Sequence, residues 1–345
     1  MKYQFCIRFN NIDVNSAASK AVLDCNKLFS EQGYKDYTIT VGDNSNRFIY
    51  YTILARQLLS FFFAVKSKSV IGIQYPLLSI NNVFKYFIKI ARLKGVRFFC
   101  IIHDLESLRT GGKDPVLIKK EIMNLNCYDH LIVHNDFMME WLTKAGVTKR
   151  MISLELFDYL SDDFNTDKDR DVKGNIVYAG NLSKSKFVYR LPELDKKHFN
   201  IYGPNFNAGL LRNITNVTWA GEYSPEEIPK QLKGSFGLIW DGQHIEVCDE
   251  VLGNYLRYNN PHKCSLYIAA GLPVIAPEQS AIGAFIKKHK IGYLITTLAD
   301  LQTMNMDNET YCSMKDNVIQ LREKVINGAF FRQALILLEK EHAGN

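Results

Sequence analysis

Short runs of consecutive apolar residues alternate along this chain with longer stretches in which apolar residues recur every three or four positions. The first pattern is that of a strand buried on both faces, the second that of an amphipathic helix. Before residue 160 the runs predict strands over 3–8, 36–41, 69–73, 97–103, 130–134 and 151–154, with helices over 16–32, 49–65, 80–94, 115–126 and 135–145. The run 97–102 is continuously apolar after its arginine. After residue 175 the alternation restarts, with strands over 175–179, 198–202, 216–219, 236–240, 273–276 and 292–295 and helices over 184–190, 224–233, 262–270 and 281–288. Residues 241–254 read as a mobile loop, and a last helical stretch, 307–342, breaks near Gly328. Strand and helix alternating in this way argue for parallel βαβ units, hence an α/β protein with two Rossmann-like, doubly wound domains. The highly charged stretch 161–175 is the natural linker. It divides the chain into a first domain, 1–165, a second, 171–325, and a terminal helix, 326–345.

A length of 345 residues suits two moderate cores. The net charge of +6 and pI near 8.8 fit phosphorylated small molecules or an anionic membrane surface. No dense Lys/Arg stripe of the nucleic-acid-binding kind is present, so nucleic acid is not an expected partner. Segments 61–68 and 86–94 mix aromatic and basic residues; such helices either pack in a core with solvated ends or rest on an anionic bilayer. No stretch approaches the roughly 18 apolar residues of a membrane span, and residues 1–8 are too charged for a signal peptide. Seven cysteines with no Cys-x-x-Cys pair read as reduced cytosolic thiols without a structural zinc, and the expected location is cytoplasmic.

In sheets of this type ligands bind at the carboxyl ends of the strands, so the residues just after each strand carry the candidate chemistry. Residues 259–275 hold the clearest case. Lys263 stands at the start of an apolar helix, Asn259 or Asn260 can cap it, Pro261 suits its first turn, and Tyr267 follows one turn on. A lysine at a helix start is an anion site, here for a diphosphate, unless it is an ordinary surface lysine. After the strand 175–179, Gly180 allows close backbone approach, Asn181 follows it, and Lys184 or Lys186 lies where a diphosphate can bind. Tyr202 and Tyr223 follow later strands and can stack on a base or touch ribose; Asp241 and Asp249 can hold a sugar. No Asp-x-Asp motif points to an obligatory metal. In the first domain, His103 and Asp104 end a buried strand, and Glu106 and Arg109 follow. Either His103 or Asp104 fits a general base, although His103 can instead cap the strand and Asp104 start the next helix. The loop after the first strand carries Asn11, Asp13, Asn15 and Ser16; it borders an acceptor or transferred group, or simply caps the next helix, and Asp13 is a second candidate base.

Pro-x-Lys, then Tyr, then Ala-Ala-Gly-Leu-Pro-Val-Ile at 261–275 resembles the nucleotide-sugar site of GT-B glycosyltransferases. With His103 to Arg109, Phe157-Asp158-Tyr159 and Tyr178-Ala179-Gly180-Asn181-Leu182, the chain resembles more narrowly the bacterial glucosyltransferase 3-like and galactofuranosyltransferase-like proteins. The resemblance implies two domains facing a cleft and a terminal helix that crosses back to the first. It implies transfer of glucose, galactose or galactofuranose from a UDP-sugar co-substrate, with no cofactor, to a glycan, lipid-linked or protein acceptor. It favours Lys184 over Lys186 as a phosphate contact. Peripheral contact with the inner membrane face and a homo-oligomer are compatible with it. The glutamate pair of many GT-B enzymes is replaced here by Tyr258 and Leu266, so the donor ribose needs another partner. Two other functions fit the same frame: a UDP-sugar 2-epimerase, and a non-catalytic sugar-nucleotide-binding subunit.

Overall fold

The apolar runs become parallel strands, and the periodic stretches become the helices that connect them. The protein is described by a computed structural model over residues 1–9, 17–42, 46–77, 80–166, 170–211 and 214–343. Its first unit comprises Met1–Val14, Val22–Leu154 and Phe331–Asn345; its second comprises Asn15–Ala21 and Glu155–Phe330.

The order in the first unit is β1 (Lys2–Phe9), α1 (Ala17–Glu31, its residues up to Ala21 counted with the second unit), β2 (Lys35–Val41), α2 (Arg47–Ala64), β3 (Val70–Tyr75), α3 (Asn81–Ala91), β4 (Arg97–Ile102), α4 (Glu106–Arg109), α5 (Pro115–Leu125), β5 (His130–Val133), α6 (Asp136–Ala145) and β6 (Arg150–Ser153). The strands form one parallel sheet in the order β2-β1-β3-β4-β5-β6. Phe98 to Ile102 of β4 are wholly buried, as expected of a central strand covered on both faces. Gly72 of β3 is needed there: a Cβ would come within 2.8 Å of the Phe29 and Phe99 rings.

The second unit runs β7 (Ile176–Ala179), β8 (Phe199–Tyr202), β9 (Val217–Trp219), α7 (Ile228–Gln231), β10 (Phe236–Leu238), α8 (Glu250–Tyr255), α9 (His262–Ala269), β11 (Val274–Pro277), α10 (Ala281–His289), β12 (Gly292–Ile295), α11 (Asp300–Thr303) and α12 (Asn308–Ile326). Its parallel sheet has the order β12-β11-β10-β7-β8-β9. The last helix, α13 (Ala329–Ala343), contributes its residues from Phe331 onward to the first unit. There Phe331 meets Phe29 edge-on at 4.8 Å and Arg332 pairs with Glu31 at 2.6 Å.

Three local expectations differ from the structure. Residues 250–255 are helical rather than loop, because buried Tyr255 and Leu256 anchor them and Gly253 packs on the Cys248 carbonyl. The helix over 224–233 shrinks to α7, since Pro225 and Pro229 lack backbone donors. The helix over 184–190 is a 3-10 segment, Lys186–Glu193, that contains Pro192. Residues 155–166 lie with the second unit, ahead of much of the charged stretch. Ser265 Oγ donates to the Phe157 carbonyl, and the Tyr159 N–H donates to Val325 at 3.1 Å.

Candidate active site

In the second sheet the strand order reverses between β7 and β10, which pair directly through Ile176↔Phe236 and Val177↔Gly237. The carboxyl ends flanking such a reversal form a crevice, because the connections leave in opposite directions. Gly180 follows β7 and Asp241 follows β10 at this edge, and the first turn of α9 brings Lys263 to the same place. Lys263 Nζ lies 2.9 Å from Asp241 Oδ1 and 5.2 Å from the centroid of the Tyr178 ring. Each partner's side chain keeps only 19% of its exposure. Burial opposes the ammonium charge, but the Asp241 carboxylate and the surrounding tyrosines more than offset it and hold the Lys263 pKa above the usual lysine range. A Cβ on Gly180 would come within 3.1 Å of Lys263 Cε, so the lysine and the strand-end backbone lie side by side.

Glycines continue this rim. Gly203, with φ of +128°, follows β8, and a Cβ there would collide with the Gly180 carbonyl oxygen at 2.0 Å. The Gly180 N–H donates to Tyr202 at 3.0 Å, and the Gly203 N–H donates to Gly221 at 2.9 Å. Bare backbone therefore lines the ends of β7, β8 and β9. Tyr223 stands beyond Gly221 and is 38% exposed. Later in the same loop, Lys184 and Lys186 line a cavity of about 350 Å³ with Gly242, Gln243 and Glu250.

Other sequence candidates serve the frame. Tyr267 is fully buried; its hydroxyl accepts from the Ala179 N–H at 2.9 Å and donates to the Leu238 carbonyl at 3.0 Å, tying β7 to β10. Tyr202 is buried with its hydroxyl between the Lys233 N–H and the Gln231 carbonyl. Both hydroxyls thus donate and accept within the second unit. The cap of α9 is corrected. Pro261 itself stands at the N-cap, without a side-chain hydrogen bond. Asn260 turns its amide to the Glu155 carbonyl, and the Asn259 side-chain oxygen is buried without a hydrogen-bond partner. Asn181 folds its own loop, its carboxamide oxygen accepting from the Ser183 N–H at 3.1 Å and hydroxyl at 2.7 Å.

In the first unit, His103 closes β4. Its N–H donates to Tyr75 at 2.9 Å, its Nε2 lies 2.7 Å from Gln74 Oε1, and its carbonyl is 2.9 Å from His134 Nε2. Asp104 does not start α4, whose N-cap is Leu105; its Oδ2 instead sits 3.3 Å from Arg109 Nη1, with both side chains partly exposed. Glu106 is exposed at the start of α4. Beneath it, buried Glu121 accepts from the Glu106 N–H at 2.9 Å, the Ser107 N–H at 3.1 Å and the Tyr75 hydroxyl at 3.3 Å. Burial pushes the Glu121 pKa up, and these donors pull it back in part. Asn11, Asp13, Asn15 and Ser16 lie outside the described residues.

Sequence reading missed the Lys263–Asp241 pair and the Glu121 support. The first was findable, since Asp241 follows a strand at the same sheet edge as Gly180. The second was not, because Glu121 looks like any polar residue of a helix.

Residues 4–156 match the model of the glucosyltransferase 3-like N-terminal domain, and residues 176–338 that of the glucosyltransferase 3-like C-terminal domain. The chain is similar to beta-1,6-galactofuranosyltransferase WbbI of Escherichia coli (strain K12), with 32% identity over 289 residues, 81% of this chain and 82% of that one. It is similar to glucosyltransferase 3 of Streptococcus gordonii, with 24% identity over 306 residues, 86% of this chain and 89% of that one. Among solved structures, a trehalose-6-phosphate protein from E. coli bound with UDP-2-fluoro glucose superposes with a TM-score of 0.53 at 9% identity, covering 98% of each chain. The chain belongs to the glucosyltransferase 3-like family and is a hexosyltransferase of the GT-B fold.

Proposed function

We propose that the second unit holds a UDP-sugar at the β7/β10 reversal and that the first unit presents the acceptor hydroxyl near Asp104. The observation that carries this reading is Lys263: a half-buried cation in the first turn of α9, beside a strand end where Gly180 leaves the backbone bare. Lys263 neutralises the diphosphate leaving group, with Lys184 as a second contact, and Tyr223 offers a ring to the uracil or ribose. Asp241 holds Lys263 in place and stands near the transferred sugar. Asp104 is the acceptor-side base if the reaction inverts, with His103 and Asp13 as the next candidates; Glu106 and Arg109 border the acceptor.

The donor is a UDP-hexose of glucose, galactose or galactofuranose type, and the acceptor is a glycan, lipid-linked or protein hydroxyl in the cytoplasm. The relatives' names, a galactofuranosyltransferase and a glucosyltransferase, support the choice of sugar. Because lysine charge serves the leaving group, turnover should survive excess EDTA. Loss of turnover with EDTA and its return with magnesium or manganese would contradict the metal-independent reading.

The test of the whole reading is UDP release from a panel of UDP-hexoses with and without acceptors. Acceptor-dependent release supports it. A sugar-nucleotide product without acceptor points to epimerase chemistry, and UDP-sugar binding without release points to a binding subunit.

A further inference from the structure

α2 meets α3 in the first unit through Phe61 stacked on Phe87 at 5.4 Å, and Lys94, in the 3-10 turn after α3, reaches the Phe62 carbonyl with its Nζ at 2.8 Å. Leu54, Leu58 and Phe61 bury the inner side of α2. On the opposite side, at helical spacing, Phe48 is 80%, Leu59 57% and Phe63 73% exposed. The outer face of α3 does the same with Tyr86 and Ile90, and the 3-10 turn Arg92–Lys94 that follows adds Leu93, 85% exposed. Arg56 on α2 and Lys89 on α3 are exposed among these side chains. The charge pattern is as unusual as the apolar one. No Asp or Glu occurs between Asp43 and Asp104, while nine Lys or Arg do. The whole chain has an excess of only +6, so everything outside this stretch is net negative.

The geometry points to the outer face of α2 and α3 as a docking surface for an anionic lipid bilayer. An apolar helix face with cations set into it and no acid in its own stretch of sequence matches a membrane interface, where aromatic and aliphatic tips enter the acyl boundary and Lys/Arg meet the headgroups. A second copy of the chain fits less well. A two-fold contact of this face with itself would bring together two faces whose only charges are Lys and Arg, with no acid in the stretch to offset them. An aqueous polyanion would match the charge and leave Phe48, Phe63 and Leu93 in water. The inference goes beyond the transfer reaction and does not rest on it, since these residues are separate from the proposed nucleotide site.

Flotation of the full chain with vesicles tests it. The protein should rise with phosphatidylcholine vesicles containing phosphatidylglycerol and stay behind with phosphatidylcholine alone. Phe48→Ser/Phe63→Ser/Leu93→Ser and, separately, Arg56→Glu/Lys89→Glu should each lower the partition coefficient at least tenfold. Melting temperature and UDP affinity should remain at wild-type values. Because all five side chains are exposed, either variant suffices if the other folds poorly. Wild-type protein that ignores anionic vesicles, or wild-type partitioning by both variants, overturns the assignment. So does a sedimentation result in which the serine variant converts an oligomer to a monomer while vesicles bind neither form, which identifies a second copy as the occupant. UDP binding is read separately, so failure here and failure of the proposed function are distinct.

Discussion

At the scale of single residues, the lysine that reads as a free anion site is already paired. Lys263 carries Asp241 at 2.9 Å, so a diphosphate bound as proposed would share or displace a carboxylate. Two consequences can be measured. Lys263→Ala should weaken UDP binding by about 2–3 kcal/mol, as expected for loss of a partly desolvated charge-assisted contact. Calorimetry should also show that adding Asp241→Asn to that variant restores part of the affinity, because it removes an unopposed negative charge beside the ligand. Unchanged UDP affinity in Lys263→Ala rules the assignment out. The neighbouring His262 behaves oppositely. Burial is the main force that lowers its pKa, to about 4, while its hydrogen bond to the Asp158 carbonyl partly resists. The folded protein thus holds this imidazole neutral where the unfolded chain, with the ordinary value of 6.5, takes up a proton. Its linkage stabilises the fold above that value and is lost as pH falls from 6.5 towards 4, a contribution on the order of 3 kcal/mol at most. His262→Gln keeps a donor for Asp158 and should flatten the fall in melting temperature over that window relative to wild type. An identical acid limb in both proteins would show that His262 does not titrate on unfolding.

At the scale of elements, α4 depends on a side chain from α5. Glu121 accepts the first two N–H groups of α4, which a helix cannot satisfy internally. Glu121→Leu should cost about 1–3 kcal/mol by leaving those donors unpaired. Faster amide exchange at Glu106 and Ser107, together with a lower melting temperature, is the expected signature; unaltered exchange there would mean that Glu121 does not hold the helix. Such cross-element support explains which parts of the protein were readable in advance. The strands were legible because a strand covered on both faces, such as Arg97–Ile102, must be continuously apolar. Lys263 and Gly180 were legible because helix starts and strand ends are local features. The roles of Tyr202 and Tyr267 were not. Whether a tyrosine hydroxyl faces a ligand or bridges two strands depends on residues such as Gly237, whose missing Cβ leaves room for the Tyr267 ring. α8 was hidden for the same reason, its hold being the burial of Tyr255 and Leu256 rather than any periodic pattern of its own.

At the scale of the whole molecule, two parallel six-stranded sheets each end in a polar edge, and the two edges carry different chemistry. The second unit gathers a cation, bare glycine backbone and a lysine-lined cavity, a set suited to a nucleoside diphosphate. The first unit gathers a carboxylate, a guanidinium and an imidazole around the end of β4, a set suited to moving a proton. If labour is divided in this way, a change in the first unit should leave nucleotide binding alone. Asp104→Asn keeps the shape of the side chain and its reach towards Arg109 while removing the proton acceptor. UDP-sugar affinity by calorimetry should therefore stay near wild type, and acceptor-dependent transfer should fall by roughly 10²-fold or more, since a base acts only in the chemical step. The melting temperature must be unchanged for the comparison to hold, and the partial exposure of Asp104 makes that the expected result. A variant that turns over normally removes Asp104 as the base and passes the role to His103 or Asp13, or to a retaining mechanism without one. A defect that lies wholly in UDP-sugar binding goes further, because it would deny that the two sheets divide donor from acceptor at all.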